Sequence, residues 1–170
     1  MDVFEALRTI VAVRKYQDRP VPEEVIRRVV EAARLTASSR NLQPWHFVVV
    51  RDRGMLRRLG ALAPTGPYTA DAAFAVVVAY EKESPFGVSD ASLAVHSMML
   101  TAWVEGVGSN WVGFANRFDA VKPLLAIPDE LDILAIVPFG YPVAALGKGK
   151  KRRKSLSEVA HRERFGQPFA

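Results

Sequence analysis

The chain has 170 residues, of which 49% are hydrophobic and 24% charged, a composition typical of one soluble domain with a full core. The sequence has no cysteine, which excludes disulfides, thiolate metal sites and a cysteine nucleophile and fits a cytoplasmic protein. We expect neither a signal peptide nor a membrane span, because the chain opens on an acidic, amphipathic stretch and no apolar run approaches roughly 20 residues.

The first half of the chain predicts two helices, a polar loop and a strand. Apolar residues at helical spacing predict one helix over residues 2–13 and another over 22–35, on either side of a break with two prolines. Residues 47–51 form an apolar, β-branched run that predicts a buried strand, and residues 54–62 predict a short basic helix.

The second half predicts two more central strands, over residues 72–80 and 132–139, and a third strand within the glycine-rich stretch 106–114. A long helix runs to about residue 105 from Ser89 and Asp90, which offer an N-cap. This helix is apolar on much of its circumference, which indicates burial in a core or a subunit interface.

Short helices are predicted at residues 119–126 and 155–161, and residues 144–170 read as an extended arm, basic and then aromatic. The basic run at residues 148–154 holds much of the net charge of +5, and it lacks interleaved aromatic residues. We therefore expect no sequence-reading contact with nucleic acid. The element order predicts one domain, 1–170, of α+β or α/β class, with helices covering a single sheet.

Two stretches suit a bound cofactor better than a core. The helix-to-strand loop Ser38-Ser39-Arg40-Asn41-Leu42-Gln43 carries more polar side chains than a plain turn needs. In Gly106-Val107-Gly108-Ser109-Asn110-Trp111-Val112-Gly113, three glycines indicate a backbone that another group approaches closely.

Side chains for acid, base or nucleophilic catalysis are scarce. His46, His96 and His161 show no metal-binding spacing, and the sequence has no nucleophile elbow and no dinucleotide or phosphate-loop fingerprint. We therefore predict no metal site and no catalytic side chain, and a chemistry carried by a cofactor.

Five stretches, in this order and spacing, resemble the flavin-dependent nitroreductase family over nearly the whole chain. They are Arg14-Lys15-Tyr16 with Arg19-Pro20-Val21-Pro22-Glu23-Glu24, Ser38-Ser39-Arg40-Asn41-Leu42-Gln43-Pro44-Trp45, Gly106-Val107-Gly108-Ser109-Asn110-Trp111-Val112-Gly113, Phe139-Gly140-Tyr141-Pro142 and Arg153-Lys154-Ser155-Leu156. The second stretch is the most specific of the five.

The resemblance implies an α+β, three-layer α/β/α sandwich with a central mixed sheet, assembled as an intertwined homodimer with FMN at the subunit interface. It implies an oxidoreductase in which NADH or NADPH reduces the flavin, leaves, and is replaced by an acceptor such as a nitroaromatic or quinone. The implied cofactor-binding residues are Arg14, Ser38, Ser39, Arg40, Asn41, Gln43, Trp111, Val112, Gly113, Lys151 and Arg153. Asn41 is expected on the ring system, one amide of residues 111–113 near flavin N5, and Arg14, Lys151 and Arg153 on the phosphate.

The chain departs from the family pattern at Ile10-Val11-Ala12, where a basic residue is usual before the Arg14 position. Two consequences stay open: Arg8 or Arg40 replaces the missing contact with the cofactor, or FMN binds weakly. The alternatives are a flavin-binding or flavin-depleted protein without turnover, a dehalogenase-type relative, and a polyanion-binding module that uses the basic run.

Overall fold

The computed structural model describes residues 1–113, 118–144 and 151–169, so Phe114, Lys148 and Lys150 of the predicted segments lie outside the described residues. The described residues contain four strands, β1 (Trp45–Val50), β2 (Phe74–Glu81), β3 (Gly108–Ser109) and β4 (Leu131–Gly140). They form one sheet in the order β1-β2-β4-β3, and each neighbouring pair is antiparallel. Within the parts of the chain that the structure describes, the parallel pairing expected of a mixed sheet is limited to one bridge, between Ala12 and Ser109.

Six α-helices are present in the described parts of the chain: α1 (Val3–Thr9), α2 (Glu23–Arg34), α3 (Arg53–Leu62), α4 (Gly87–Val104), α5 (Val121–Leu124) and α6 (Leu156–Val159). The predicted first helix, 2–13, ends early at Thr9. Residues 10–13 are extended instead, and the Val13 amide donates to the Ser109 carbonyl at 2.9 Å. The long helix begins at Gly87 after Phe86, so the predicted N-cap at Ser89 and Asp90 is wrong.

The sheet has a core on each face, as strand alternation requires. Phe74, Val76 and Val78 of β2 belong to a cluster with buried residues of α2 and α4. The intervening Ala75 and Val77 belong to a second cluster with residues of α3 and α5. Helices therefore cover both faces, and the predicted α+β sandwich of three layers is confirmed.

The predicted glycine-rich strand is much shorter than expected. Only Gly108 and Ser109 form a ladder with β4, and farther on the Val112 amide donates to the Ile136 carbonyl at 3.0 Å. None of the described helices is long and apolar enough to cross a membrane.

Candidate cofactor site

The polar loop before β1 has a strained backbone. Arg40, Asn41 and Gln43 all have left-handed φ values, of 54°, 56° and 53°. Each such non-glycine residue costs on the order of 1–3 kcal/mol, and strain of this kind persists only where surrounding contacts enforce it. Asn tolerates this conformation better than Arg or Gln, so most of the strain lies at residues 40 and 43.

Contacts inside the loop maintain this conformation. The Gln43 amide donates to Ser38 Oγ at 2.8 Å, and Gln43 Nε2 donates to Asn41 Oδ1 at 3.2 Å. Residues 40–43 are nevertheless exposed, so most of the polar groups of their side chains face away from the core. The loop thus presents amide and guanidinium groups from a fixed backbone.

A buried carboxylate anchors this loop to α4. Asp90 is 2% exposed, and it accepts the Ser39 amide at 2.8 Å and the Ser39 hydroxyl at 3.0 Å. Asp90 is therefore the loop's anchor and not the helix cap that the sequence predicted. A local signal pointed to it, because Asp90 is the one charged residue among the 18 residues of α4.

The Trp111-Val112-Gly113 segment lies at the opposite edge of the sheet. The Val112 amide is bonded to Ile136, so it is not a donor to a ring, and the amides of Trp111 and Gly113 are the remaining candidates. Trp111 is 36% exposed, and a Cβ on Gly113 would meet its indole nitrogen and lie 2.9 Å from the Leu134 carbonyl. Gly113 therefore lets the indole fold back over the backbone.

The predicted phosphate-binding residues have different environments. Arg14 is exposed, and the Arg153 guanidinium is also exposed and donates to the Arg152 carbonyl at 3.1 Å. Lys151 is half-buried, and its Nζ donates to the Leu7 carbonyl in the last turn of α1 at 2.6 Å. Burial, together with the charge of Arg153, lowers the pKa of Lys151. Lys151 thus ties the arm to α1, and Arg14 and Arg153 are freer to meet an anion.

One chain does not bring all of these residues together. Residues 38–43 precede β1 at one edge of the sheet, whereas Arg14 and residues 111–113 lie beyond or along β3 at the other. Three interstrand gaps separate the two edges, a distance of about 14 Å. The structure therefore divides the predicted site into a loop group and a β3-edge group.

Comparisons with known proteins identify the family of the chain. The family model described as "Nitroreductase family" matches residues 8–63 and 61–141. The chain belongs to the nitroreductase family. A relative from Methanothermobacter thermautotrophicus, provisionally named an NADH dehydrogenase/NAD(P)H nitroreductase, is 38% identical over 149 residues, with 84% of this chain and 78% of the relative covered.

Two solved structures extend the likeness to the whole fold. An FMN-dependent nitroreductase from Clostridium difficile is 27% identical, with a TM-score of 0.86 that covers 96% of this chain and 100% of the other. A Bacteroides thetaiotaomicron protein, provisionally named like the archaeal relative, is 25% identical with a TM-score of 0.87, and 95% and 97% of the two chains are covered. The resemblance found in the sequence motifs is confirmed at the level of the family.

Proposed function

We propose that this nitroreductase-family chain is an FMN-dependent oxidoreductase that takes electrons from NADH or NADPH and passes them to a small organic acceptor. The observation that carries the proposal is the strained polar loop, which is fixed to α4 by a buried carboxylate and exposes its side chains. The names of the archaeal relative and of the Clostridium difficile structure support the reductant and the cofactor, respectively.

The residues present fit a flavin. A flavin ring has an imide edge that both donates and accepts hydrogen bonds, and Asn41 and Gln43 carry side-chain amides that do the same. Arg14 and Arg153 supply charged donors for a phosphate. Ile10, Val11 and Ala12 offer no polar side chain, so the phosphate end depends on Arg14 and Arg153.

We place the complete site between two copies of the chain. In a homodimer the loop group of one protomer lies against the β3-edge group of the other. The two groups, which are at opposite edges of the sheet within one chain, then form one site. Large exposed apolar side chains on α1, α4 and the arm support such an interface: Val3, Phe4, Leu7, Val88, Leu93, Val104, Leu156, Val159, Phe165 and Phe169. Exposed apolar side chains that recur on three elements favour an interaction surface there.

When bound, FMN supplies a ring that accepts a hydride from a nicotinamide and passes electrons on. The chain's own residues bind and orient it: the loop amides hold the ring, the guanidinium groups hold the phosphate, and the Trp111 indole forms a wall. No side chain has to act as an acid or base. Nitroaromatics and quinones are the acceptor classes that we propose.

The absorption spectrum of protein purified without added flavin is the direct test, repeated after anaerobic addition of NADH and of NADPH. We expect flavin absorption bands that correspond to about one flavin per chain, and we expect at least one reductant to bleach them. Bands that neither reductant bleaches would establish a flavin-binding protein without turnover. A colourless protein that also fails to take up added FMN would remove the proposal.

A further inference from the structure

A basic cleft lies beside Arg14, apart from the strained loop. Its volume is about 560 Å³, within the range of small-ligand pockets. Three separate parts of the chain line it: the segment after α1, helix α3 and the turn before β2. The lining residues are Arg14, Lys15, Tyr16, Asp18, Arg53, Arg57, Ala70 and Asp71.

The charges of the cleft are only partly neutralised. Arg53 donates to Asp18 at 2.7 Å and to the Ala72 carbonyl at 3.1 Å, so this cation is already engaged. Among the described residues, which include every Asp and Glu of the chain, none places a carboxylate within 4.0 Å of Arg14, Lys15 or Arg57. Asp71 is the one lining carboxylate without an ion pair, so cations remain in excess.

Such a cleft fits a phosphate monoester. A guanidinium presents paired N–H donors that match two phosphate oxygens, and a monoester carries nearly two negative charges at pH 7. Converging charges from separate elements distinguish this cleft from a basic run on one solvated segment.

We propose that this cleft binds the 2′-phosphate of NADPH and makes the enzyme prefer NADPH over NADH. The inference rests on the proposed function, because Arg14 belongs both to the predicted flavin ligands and to the cleft. Because we place Arg14 on the flavin phosphate, a nucleotide held in the cleft lies next to the proposed flavin site. NADH lacks the monoester and gains nothing from Arg57.

The test compares Arg57→Gln with Arg58→Gln in the flavin-loaded protein. Both arginines are exposed on α3, but Arg58 does not line the cleft. With menadione as acceptor, we expect Arg57→Gln to raise the KM for NADPH about tenfold, the loss of one charge-assisted hydrogen bond, and to change the KM for NADH less than about twofold. Arg58→Gln should change neither value. Thermal unfolding of both variants checks that the fold is kept.

Calorimetric titration with NADP⁺ and NAD⁺ gives a readout independent of turnover. Tighter binding of NADP⁺, weakened by Arg57→Gln alone, supports the cleft even if the protein proves unable to reduce an acceptor, so the two proposals fail separately. Equal affinity for the two dinucleotides, or an equal effect of Arg57→Gln on both, overturns the cleft. Loss of bound flavin in Arg57→Gln also overturns it, because the cleft then serves the flavin phosphate instead.

Discussion

The strained loop at residues 38–43 and the glycine-rich segment at residues 106–113 both stand out in the sequence, but they differ in what they contact. The loop bends away from the core, stores backbone strain and exposes its polar side chains. The glycine-rich segment approaches its own chain: a Cβ on Gly108 would lie 2.7 Å from the Val13 Cβ. Polar groups without a core role therefore mark the loop that we propose binds the cofactor, whereas Gly108 and Gly113 mainly record packing within the fold.

Among substitutions in the two regions, the largest effect on FMN binding and stability is expected at Asp90, which anchors the loop. In Asp90→Asn the side chain keeps its shape, but its NH₂ group opposes one of the two Ser39 donors. We expect FMN to bind at least about tenfold more weakly and the flavin-free protein to lose about 1–3 kcal/mol of unfolding free energy. Flavin fluorescence titration and urea unfolding measure the two effects.

Asp129→Asn is the control for the loss of one carboxylate charge, because Asp129 is exposed and belongs to neither region. The change in FMN affinity tests whether Asp90 positions the loop. If stability falls in Asp90→Asn while FMN affinity and the shape of the flavin spectrum stay unchanged, Asp90 is only a structural residue.

The next effect is expected within the glycine-rich segment. Gly108→Ala forces a methyl group against Val13, and overpacking of this kind costs about 1–3 kcal/mol, or a Tm lower by about 2–10 °C for a chain of this size. Gly106→Ala has open space but a φ of +74°, so its cost is only about 1–2 kcal/mol from the backbone. An unfolding free energy of Gly108→Ala equal to that of the unsubstituted chain, measured by urea unfolding, would show that the approach of Val13 costs nothing.

Most of the fold followed from patterns local in sequence. Helical periodicity located α2, α3 and α4 to within about two residues of the ends observed, and apolar runs located β1, β2 and β4. The shortness of β3 did not follow, because residues 110–112 continue along β4 through one hydrogen bond from Asn110 to Pro138 and a reciprocal pair between Val112 and Ile136, which no local pattern encodes.

The candidate site was predictable in its residue types more than in its contacts. The cluster of polar residues at 38–43 marked the loop, and the glycines marked the β3 edge. The roles of Asp90 and Lys151 depend on partners 51 and 144 residues away in sequence, which only the folded chain brings into reach. The role of Arg57 could likewise not be predicted, because in the sequence it is one of several arginines on a solvent-exposed helix. Only the folded chain places the segment around Arg14 beside it.

The smallest effect is expected from relieving left-handed backbone strain, and it tests whether such strain matters for FMN binding only in the loop. Ala126 follows α5 with a φ of 53°, at a helix end where glycine is preferred, and it is exposed and belongs to neither region. Ala126→Gly should raise the unfolding free energy by about 0.5–1 kcal/mol, because relief of the strained φ exceeds the added flexibility of the unfolded chain. FMN affinity should stay unchanged. Arg40→Gly should relieve similar strain but weaken FMN binding, since it removes a side chain that the family resemblance places among the cofactor-binding residues. If both variants leave FMN affinity unchanged, the strain at residue 40 serves the loop's shape alone, and the guanidinium is not a ligand.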